Sequence, residues 1–303
     1  MEITLCTAPF EAEEMLCRLE EIFGVEERLL ETPQLTGKEQ KENVDIVLLA
    51  REKGVLVGAI HGTIPRHDPH LAGLSAMFTT REARGTGLGK ALFGQMVETL
   101  EKMGATAMVL GTSNPIGEKI YASFGFRYLF GSGVMVRFTS GGAVDFEKAR
   151  FEKPDGEIRI EEGDPKMRIP IVPLTLSRLK YKIYDANLGF VNPEVMTQFS
   201  CMGLYPRYMA LKDKGGKYFG AYDEAGVLGA AATVTADGGF DGFAHPAYES
   251  ALQEMFQRAN GRYMVVADAD ESKIALAESL GLQKMEQTTL QVRDVLFPAH
   301  YYK

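Results

Sequence analysis

Three glycines at alternate positions form the most chemically suggestive stretch of this sequence. They lie within residues 84–90, which read Arg-Gly-Thr-Gly-Leu-Gly-Lys. Glycine tolerates positive φ and has no Cβ, so backbone N–H groups can converge on a ligand there. A helix predicted to begin near Leu88 would add unpaired N–H donors and partial positive charge, and Arg84 adds a full one. The stretch therefore predicts a binding site for a pyrophosphate.

The sequence pattern around these glycines differs from the patterns of two other phosphate-binding loops. The dinucleotide fingerprint is G-x-G-x-x-G, with an acidic ribose partner about 20 residues later on a second strand, and neither feature occurs here. A Walker loop requires Gly-Lys followed by Ser or Thr. Here Lys90 is followed by Ala91. A different pyrophosphate ligand is indicated.

A second motif follows the predicted strand at 107–111. Residues 114–126 read Asn-Pro-Ile-Gly-Glu-Lys-Ile-Tyr-Ala-Ser-Phe-Gly-Phe. Asn114 is a favoured N-cap residue and Pro115 fits the first helical turn. Gly125 is typical of a helix C-terminus. These local rules predict a helix between Asn114 and Gly125.

Together the two motifs resemble those of the GNAT N-acetyltransferases. The acetyl-CoA loop of that family follows Q/R-x-x-G-x-G/A, which residues 84–89 match. Its second signature is N-x-x-A-x-x-x-Y-x-x-x-G-F, which residues 114–126 match except that Gly117 stands where alanine is usual. The resemblance implies an acyltransferase that uses acetyl-CoA as co-substrate. It also implies an α/β (α+β) fold with a mixed, mainly antiparallel twisted sheet flanked by helices.

The resemblance further implies roles for individual residues. Tyr121 would lie near the thioester sulfur as the general acid, and the backbone N–H of Phe78, or alternatively of Met77, would hold the thioester carbonyl. Asn114 would either bind the pantetheine arm or only cap its helix. The residues expected to bind the coenzyme are Met77, Phe78, Thr79, Arg84, Gly85, Thr86, Gly87, Leu88, Gly89, Lys90 and Asn114.

The general base is left open by the sequence. A lone histidine in a strand is more often packed and hydrogen-bonded than catalytic. Some members of the family use a chain of water molecules, so no side chain need serve. The candidates are His61, His67, His70, Asp68, Glu26 and Glu27.

The elements that must position these residues can be predicted from hydrophobic spacing. The order in the N-terminal half is a strand, helices, three antiparallel strands, a helix, a strand, a helix and further strands. A hairpin covers 44–64, and the strand at 71–79 leads into the glycine loop. The last strands are expected at 128–130 and 134–138.

A change of composition near residue 139 indicates a second domain. We expect a catalytic GNAT domain at 1–140, a linker or hairpin at 141–166 and a degenerate GNAT-like domain at 167–303. The sequence EAGVLGAAA at 224–232 echoes EKGVLVGAI at 52–60. The alternative is a different α/β domain with chance periodicity, but the recurring order of elements favours a tandem repeat.

The two halves can be aligned by placing Gly281 on Gly125, an offset of 281 − 125 = 156. In this alignment, each residue of the loop 84–89, as well as Asn114 and Tyr121, is matched by a residue of another type in the second copy. The aligned positions are 240–245 with the loop 84–89, Asp270 with Asn114, and Ala277 with Tyr121. This predicts an active first copy and a degenerate second copy.

Composition limits the class of protein. The chain has 303 residues, with 45% hydrophobic and 24% charged residues, as in soluble globular proteins. It has no apolar run long enough for a membrane span and no signal-peptide pattern, so a cytoplasmic protein without a membrane partner is expected. Cys6, Cys17 and Cys201 are too few and scattered for a disulfide framework or a metal site. The net charge of -8 disfavours nucleic-acid binding and suits a cationic acceptor, although a solubilising surface also explains it.

The expected function is therefore acetyl transfer from acetyl-CoA to the primary amine of a small molecule. The amine would attack directly in a ternary complex, because no cysteine lies near the motifs to form an acetyl-enzyme. The alternatives are a protein or peptide N-acetyltransferase and a non-catalytic acyl-CoA-binding sensor module. Either a monomer or a homodimer is expected.

Overall fold

The computed structural model describes residues 1–129, 132–197 and 202–303. The chain divides into two compact units, with the main boundary between Gly142 and Ala143. Each unit combines mostly antiparallel strands with helices, in one sheet in the first unit and in three in the second, which confirms the predicted fold class. Phe130, the predicted end of a strand, and Cys201 lie outside the described residues.

The first unit contains the predicted order of elements. In chain order they are β1 (Glu2–Thr7), α1 (Glu13–Phe23), α2 (Val25–Leu35), β2 (Asn43–Glu52), β3 (Val55–Pro65), β4 (Leu71–Thr79), a 3-10 helix (Arg81–Ala83), α3 (Leu88–Lys102), β5 (Ala107–Gly111), α4 (Pro115–Ser123), β6 (Arg127–Tyr128) and β7 (Val134–Phe138). The strands form one sheet in the order β1-β2-β3-β4-β5-β7-β6. Neighbouring strands are antiparallel except for the parallel pair β4 and β5.

Helices cover both faces of this sheet, so its central strands are buried on both sides. Successive side chains of a strand point to opposite faces. In β2, Ile46 and Leu48 belong to the core that also contains the apolar side of α3. Val47 and Leu49 belong to the opposite core, which contains the apolar side of α1. This burial explains why the central strands read as continuous apolar runs.

The parallel pair separates towards the end of its strands. β4 and β5 pair only where residues 71–73 lie opposite 107–109. Farther along, β4 contains an irregularity in its pairing with β3, and Ala76 adopts a φ of 50°. One extra residue with left-handed backbone is the signature of a β-bulge, which bends a strand. The bulge and the short pairing leave a gap between β4 and β5.

The second unit contains the remaining elements. In chain order they are α5 (Ala143–Phe151), β8 (Arg159–Glu162), a 3-10 helix (Pro165–Met167), α6 (Ile171–Leu176), β9 (Ile183–Asp185), β10 (Phe190–Val191), α7 (Tyr205–Asp213), β11 (Lys217–Tyr222), β12 (Leu228–Val234), β13 (Phe240–Ala244), a 3-10 helix (Pro246–Tyr248), α8 (Ser250–Ala259), β14 (Met264–Ala267), α9 (Glu271–Ser279), β15 (Lys284–Val292) and β16 (Val295–Tyr302). Its sheets have the orders β13-β12-β11-β8, β14-β16-β15 and β10-β9.

The strand order of the first unit recurs in the second. β8-β11-β12-β13 corresponds to β1-β2-β3-β4, and β14-β16-β15 corresponds to β5-β7-β6. A parallel bridge between Gly239 and Tyr263 joins the two sheets where β4 and β5 pair in the first unit. Asp270 caps α9 through a bond from the Lys273 amide, as Asn114 caps α4. Several tyrosines of this unit are buried in its interior, among them Tyr181, Tyr184, Tyr205, Tyr208, Tyr218 and Tyr222.

The stretch 141–166, expected to be a linker or hairpin, requires correction. It contains α5 and β8, and Ile160 of β8 pairs opposite Ala221 of β11. β8 is an edge strand of its sheet, where charged side chains are common because one side of the strand is unpaired. The charges in this stretch therefore concealed a strand of the second unit.

The alignment by a constant offset also requires correction. Residues 240–244 form β13, the counterpart of β4, and do not correspond to the glycine loop. In the first unit, four residues at 84–87 separate the 3-10 helix from α3. In the second, only Glu249 lies between the 3-10 helix and α8. The glycine segment is thus missing from the second unit, and an alignment without gaps cannot show this.

Candidate active site

The glycine loop connects the end of β4 to the start of α3. Gly85 has a φ of 76° and Gly87 a φ of 86°, both in the left-handed region that favours glycine. A Cβ added at either position would meet no atom within 4 Å, so the space beside this backbone is open. Gly87 is the N-cap of α3 and provides no side chain for capping. Gly89, by contrast, has an ordinary backbone in the first helical turn.

The loop leaves positive charge and amide donors available to a ligand. The first N–H groups of a helix have no partner within it. Among the residues that the structure describes, only one of these groups has a side-chain partner: the Leu88 amide lies 3.4 Å from Thr86 Oγ1. Thr86 Oγ1 itself donates to the Ala83 carbonyl at 2.7 Å, which fixes the turn. Arg84 is exposed and forms no ion pair with the residues that the structure describes.

A cavity of about 590 Å³ lies along this loop. Its lining contains every residue expected to bind the coenzyme except Thr86, together with Tyr121. The structure therefore brings the two sequence motifs into one cavity. We call it the loop cavity; its lining residues are Ile22, Phe23, Met77, Phe78, Thr79, Ala83, Arg84, Gly85, Gly87, Leu88, Gly89, Lys90, Asn114, Ile116, Gly117, Ile120 and Tyr121.

A second cavity of about 380 Å³ adjoins the first. The two cavities share four lining residues, which are Phe23, Met77, Asn114 and Tyr121. We call the second one the inner cavity; its lining also includes Glu27, Leu30, Ile60, Leu74, Ser75, Ala76, Phe93, Leu110, Gly111, Thr112 and Ser113. It lies where β4 and β5 separate, since residues 74–77 and 110–111 border it.

Helix α4 holds Tyr121 at the junction of the cavities, and both of its ends are capped. Asn114 Oδ1 accepts from the amides of Ile116 at 3.0 Å and Gly117 at 3.5 Å. At the other end, the Phe126 amide donates to the Tyr121 carbonyl, and Gly125 has a φ of 88°. This is the pattern of a Schellman motif. The second sequence signature thus specifies where the helix carrying Tyr121 begins and ends.

The phenol of Tyr121 lies in an apolar setting. Its ring centroid is 4.6 Å from that of Phe93. A Cβ at position 117 would come within 3.2 Å of the phenol oxygen, so glycine at this position leaves room for the ring. Burial raises the pKa of Tyr121 to about 12. The phenol hydroxyl is therefore protonated throughout the physiological pH range.

The pairing of β4 with β3 indicates which amides face the gap. The Thr80 amide donates to the Val57 carbonyl at 2.8 Å, across to β3. In an antiparallel pair, residues facing the partner strand alternate. The backbone amide of Phe78 therefore faces β3, whereas the amides of Met77 and Thr79 face the gap towards β5. Met77 also lines both cavities, while Phe78 lines only the loop cavity.

A fully buried charged cluster lies beneath the inner cavity. His61 Nδ1 is 2.5 Å from Glu31 Oε2, and His61 Nε2 is 3.0 Å from Asp45 Oδ1. Thr63 Oγ1 donates to Asp45 Oδ1 at 2.7 Å. Burial disfavours the charged imidazole, but the charge of Glu31 and the hydrogen bonds to both carboxylates outweigh it and raise the pKa of His61 to about 10. His61 is thus an imidazolium held between two carboxylates and does not line either cavity.

Glu27 lies in the lining of the inner cavity. Burial, together with the nearby charge of Glu31, raises the pKa of Glu27 to about 7. The four-residue spacing of Glu27 and Glu31 places both carboxyl groups on one face of α2. That spacing was a signal in the sequence, but Glu31 and Asp45 were not among the candidates.

The other candidates for a general base lie elsewhere. His67, Asp68 and His70 are in the connection between β3 and β4, at the end of β4 opposite to Met77. Glu26 is exposed. None of these four residues lines the loop cavity or the inner cavity.

Two further properties concern membranes and metals. In the described parts of the chain, no helix has the length and apolar character needed to cross a membrane. Across the same residues, no group of three or more His, Cys, Asp or Glu side chains is arranged as a metal site. Cys6 and Cys17 are free thiols.

Part of the first unit matches the model of a known protein family. The family model described as acetyltransferase (GNAT) family matches residues 12–126. No curated protein matches the sequence significantly.

Solved structures of acetyltransferases resemble the chain at low identity. A GNAT-family acetyltransferase from Staphylococcus aureus shares 19% identity, with a TM-score of 0.37, over 46% of this chain and 100% of that chain. A GNAT-family N-acetyltransferase from Escherichia coli in complex with CoA shares 18%, with a TM-score of 0.35, over 46% and 83%. A protein from Pyrococcus horikoshii, provisionally described as an acetyltransferase, shares 14%, with a TM-score of 0.37, over 99% and 88%. At these sequence identities and TM-scores, the similar solved structures do not indicate a substrate for this chain.

Proposed function

We propose that the protein transfers the acetyl group of acetyl-CoA to the primary amine of a small molecule. The match of residues 12–126 to the acetyltransferase (GNAT) family model supports the acetyl transfer. One observation carries the proposal: two adjoining cavities meet at Met77, Asn114 and Tyr121. The loop cavity suits the coenzyme, and the inner cavity suits the acceptor. The amine attacks the thioester directly in a ternary complex.

In this proposal the pyrophosphate lies at the glycine loop. The amides at the start of α3 and the guanidinium of Arg84 supply donors to its oxygens. Charge-assisted hydrogen bonds of this kind contribute roughly 1.5–3 kcal/mol each. The open space beside Gly85 and Gly87 supports this position. The side-chain oxygen of Asn114, Oδ1, caps α4. The side-chain nitrogen of Asn114 is assigned to the pantetheine arm.

The backbone N–H of Met77 is assigned to the thioester carbonyl. Attack by the amine places negative charge on that oxygen, and a fixed N–H donor in a water-poor site stabilises the charge. The alternation of β4 favours Met77 over Phe78, because the Phe78 amide faces β3. Thr79 faces the same gap and is assigned to the pantetheine arm.

Tyr121 is assigned to the departing sulfur. Departure of the thiolate breaks the carbon–sulfur bond and places negative charge on sulfur. An unperturbed thiol has a pKa of about 8.5, below the value of about 12 for Tyr121, so complete proton transfer from the phenol is uphill. The main contribution of Tyr121 is a hydrogen bond that strengthens as the thiolate forms.

The second unit is proposed to be a degenerate copy of the first. The recurring strand order and helix cap support this origin. Its turn at 245–249 contains no glycine. Tyr248 of that turn is buried against Gly229, where even a Cβ would come within 2.2 Å of its ring. We assign no coenzyme site to this unit.

A thiol-release screen tests the proposed function. Acetyl-CoA is offered with amines, amino acids, polyamines, aminoglycosides and peptides, and free CoA thiol is measured. We expect release with small amines and none with peptides. Release with peptides alone would indicate a peptide N-acetyltransferase. Binding of acetyl-CoA without release by any acceptor would indicate a sensor module.

A further inference from the structure

Glu27 is the only titratable side chain besides Tyr121 among the described residues that line the inner cavity. It is carried by α2, one helical turn before Glu31. Tyr121 approaches the same cavity from α4. A carboxyl group and a phenol therefore border the space assigned to the acceptor, and Met77 lies at the junction between them and the coenzyme.

The cluster of Glu31, His61 and Asp45 lies behind Glu27. The side chains of its three members are at most 1% exposed. Two carboxylates around one imidazolium leave a formal charge of −1. Glu31 Oε1 and Asp45 Oδ2 are buried and accept no hydrogen bond from the described residues, so this negative charge is incompletely paired.

Ser75 connects the cluster to the cavity. Its Oγ lies 3.1 Å from His61 Nδ1, and the residue also lines the inner cavity. The charged and titratable groups around Glu27 are thus Glu31 on its own helix, His61 on β3, Asp45 on β2 behind His61, and Tyr121 on α4. Of these, Glu31 raises the pKa of Glu27 and His61 lowers it, while burial raises it most.

We propose that Glu27 accepts the proton of the acceptor's ammonium group. We further propose that the charge of Glu31, in the buried cluster of Glu31, His61 and Asp45, makes the Glu27 carboxylate a better proton acceptor for this step. The inference rests on the proposed acetyl transfer. It adds a catalytic residue at the inner cavity, and it gives Glu31 a positioning role through its charge on Glu27.

The proton balance of the reaction is complete with these groups. One N–H bond of the ammonium breaks, and the proton moves to the Glu27 carboxylate. The free electron pair on nitrogen then attacks the thioester carbon, and the carbon–sulfur bond breaks with its electron pair on sulfur. The nitrogen then loses a second proton, which passes to the thiolate while the Tyr121 hydroxyl hydrogen-bonds that sulfur. The proton held by Glu27 leaves to solvent, so each turnover releases one proton. A carboxyl group with a pKa near 7 suits this step at neutral pH.

The lining also specifies a class of acceptor. The apolar side chains that line the cavity include Phe23, Leu30, Ile60, Leu74, Phe93, Leu110 and Met202. They suit an apolar body, while Glu27 and the buried cluster suit a cation. A carboxylate on the acceptor would meet negative charge in a partly desolvated site, which is unfavourable. The predicted acceptor is a primary amine with an apolar body and no carboxylate.

The first test compares the pH dependence of variants, with 2-phenylethylamine as the probe acceptor. For the wild type, kcat/KM should rise with pH through about 7, as Glu27 loses its proton. Glu27→Gln should lower kcat/KM at pH 7 by roughly 10²–10³-fold and abolish this rise, because the general base is removed. Activity should then recover only at the higher pH at which the amine itself loses its proton.

Glu26→Gln is the matched control. It makes the same change on the neighbouring residue, which is exposed and lines neither cavity. It should leave both the rate and the pH profile unchanged. If Glu27→Gln raises KM and keeps both kcat and the rise near pH 7, Glu27 only binds the acceptor and the inference is overturned.

A second variant tests the positioning role. Glu31→Gln removes a negative charge beside Glu27, so the rise in kcat/KM should move to lower pH. A purely structural role would lower the rate and leave the rise in place. Should this variant fail to fold, the Glu27→Gln profile still decides the assignment of the base.

The acceptor class is tested with a matched pair of probes. 2-Phenylethylamine should be acetylated with a kcat/KM at least about 10-fold above that of L-phenylalanine, which adds only a carboxylate. Equal rates, or no turnover of 2-phenylethylamine while acetyl-CoA still binds, would overturn this inference. The proposed function fails separately, if acetyl-CoA does not bind to the wild type or if no amine in the wider screen releases thiol.

Discussion

Single residues at the site are tuned by their surroundings as much as by their type. Tyr121 and Glu27 line the same cavity, and burial moves the pKa of both upwards. For the phenol this preserves a hydrogen-bond donor at every physiological pH. For the carboxyl it moves proton exchange into the neutral range. Two acidic groups in one pocket thereby acquire different roles.

Replacing Tyr121 with Phe tests the donor at the residue scale. The substitution removes one hydroxyl and keeps the ring that packs on Phe93. We expect kcat to fall by roughly 10–10³-fold, within the range for loss of a donor to developing charge, while acetyl-CoA affinity is retained. Because its pKa is about 12, Tyr121 should cause no decline in rate below about pH 11. Tyr128→Phe, at an exposed position of β6, is the control, and an unchanged kcat for Tyr121→Phe would refute the assignment.

At the scale of elements, the site depends on where two helices begin. α3 begins after a glycine with left-handed backbone, and α4 begins after Asn114. The gap in which we propose that the ligands bind comes from a third element, β4, whose bulge and short parallel pairing keep it apart from β5. The gap between β4 and β5 and the starts of α3 and α4 thus lie at the same place.

Gly87→Glu should disable the loop. The new side chain brings a carboxylate to the anion site and forces a non-glycine residue into left-handed backbone, which costs roughly 1–2 kcal/mol. Gly54→Glu is the matched control, because Gly54 also has positive φ and open space but lies in the β2–β3 turn. Both variants should lose similar stability in thermal unfolding. Only Gly87→Glu should lose acetyl-CoA affinity, by at least about 100-fold in calorimetry, and equal affinities would contradict the loop assignment.

Asn114→Asp separates capping from coenzyme binding. Aspartate caps a helix about as well as asparagine, so the melting temperature should be preserved. The change removes the amide nitrogen and adds negative charge, so acetyl-CoA affinity should fall several-fold in the same calorimetric titration. If affinity is unchanged, Asn114 only caps α4.

At the scale of the whole molecule, two units share one strand order and differ in the turn that would bind a coenzyme. In the first unit, residues 84–87 form an open glycine turn before α3. In the second, that turn is shorter, and Tyr248 fills the space beside it. The same strand order is therefore compatible with a turn that lacks the glycine loop, because the sheet core does not depend on that loop.

Calorimetric titration of the full chain should give one acetyl-CoA site per molecule. Gly87→Glu in the first unit should abolish that site, because no equivalent turn is present in the described part of the second unit. Two equal sites, or binding that survives Gly87→Glu, would show that the second unit also binds the coenzyme.

The sequence by itself determined the features that depend on neighbours along the chain. Glycine spacing, the Asn114 cap, the Gly125 terminus and the apolar periods of the strands follow local rules, and the order of elements in the first unit could be predicted from them. Edge strand β8 was missed because its charged side chains are compatible with either a strand or a linker.

Only the tertiary structure decided which side chains share a cavity. Glu26 and Glu27 are adjacent and chemically identical, and the packing of α2 alone makes one exposed and the other part of the lining. His61 became a buried ion-pair partner because Glu31 and Asp45 approach it from α2 and β2. The choice of Met77 over Phe78 depends on strand pairing. Such facts come from contacts between residues far apart in the chain, which local patterns do not encode.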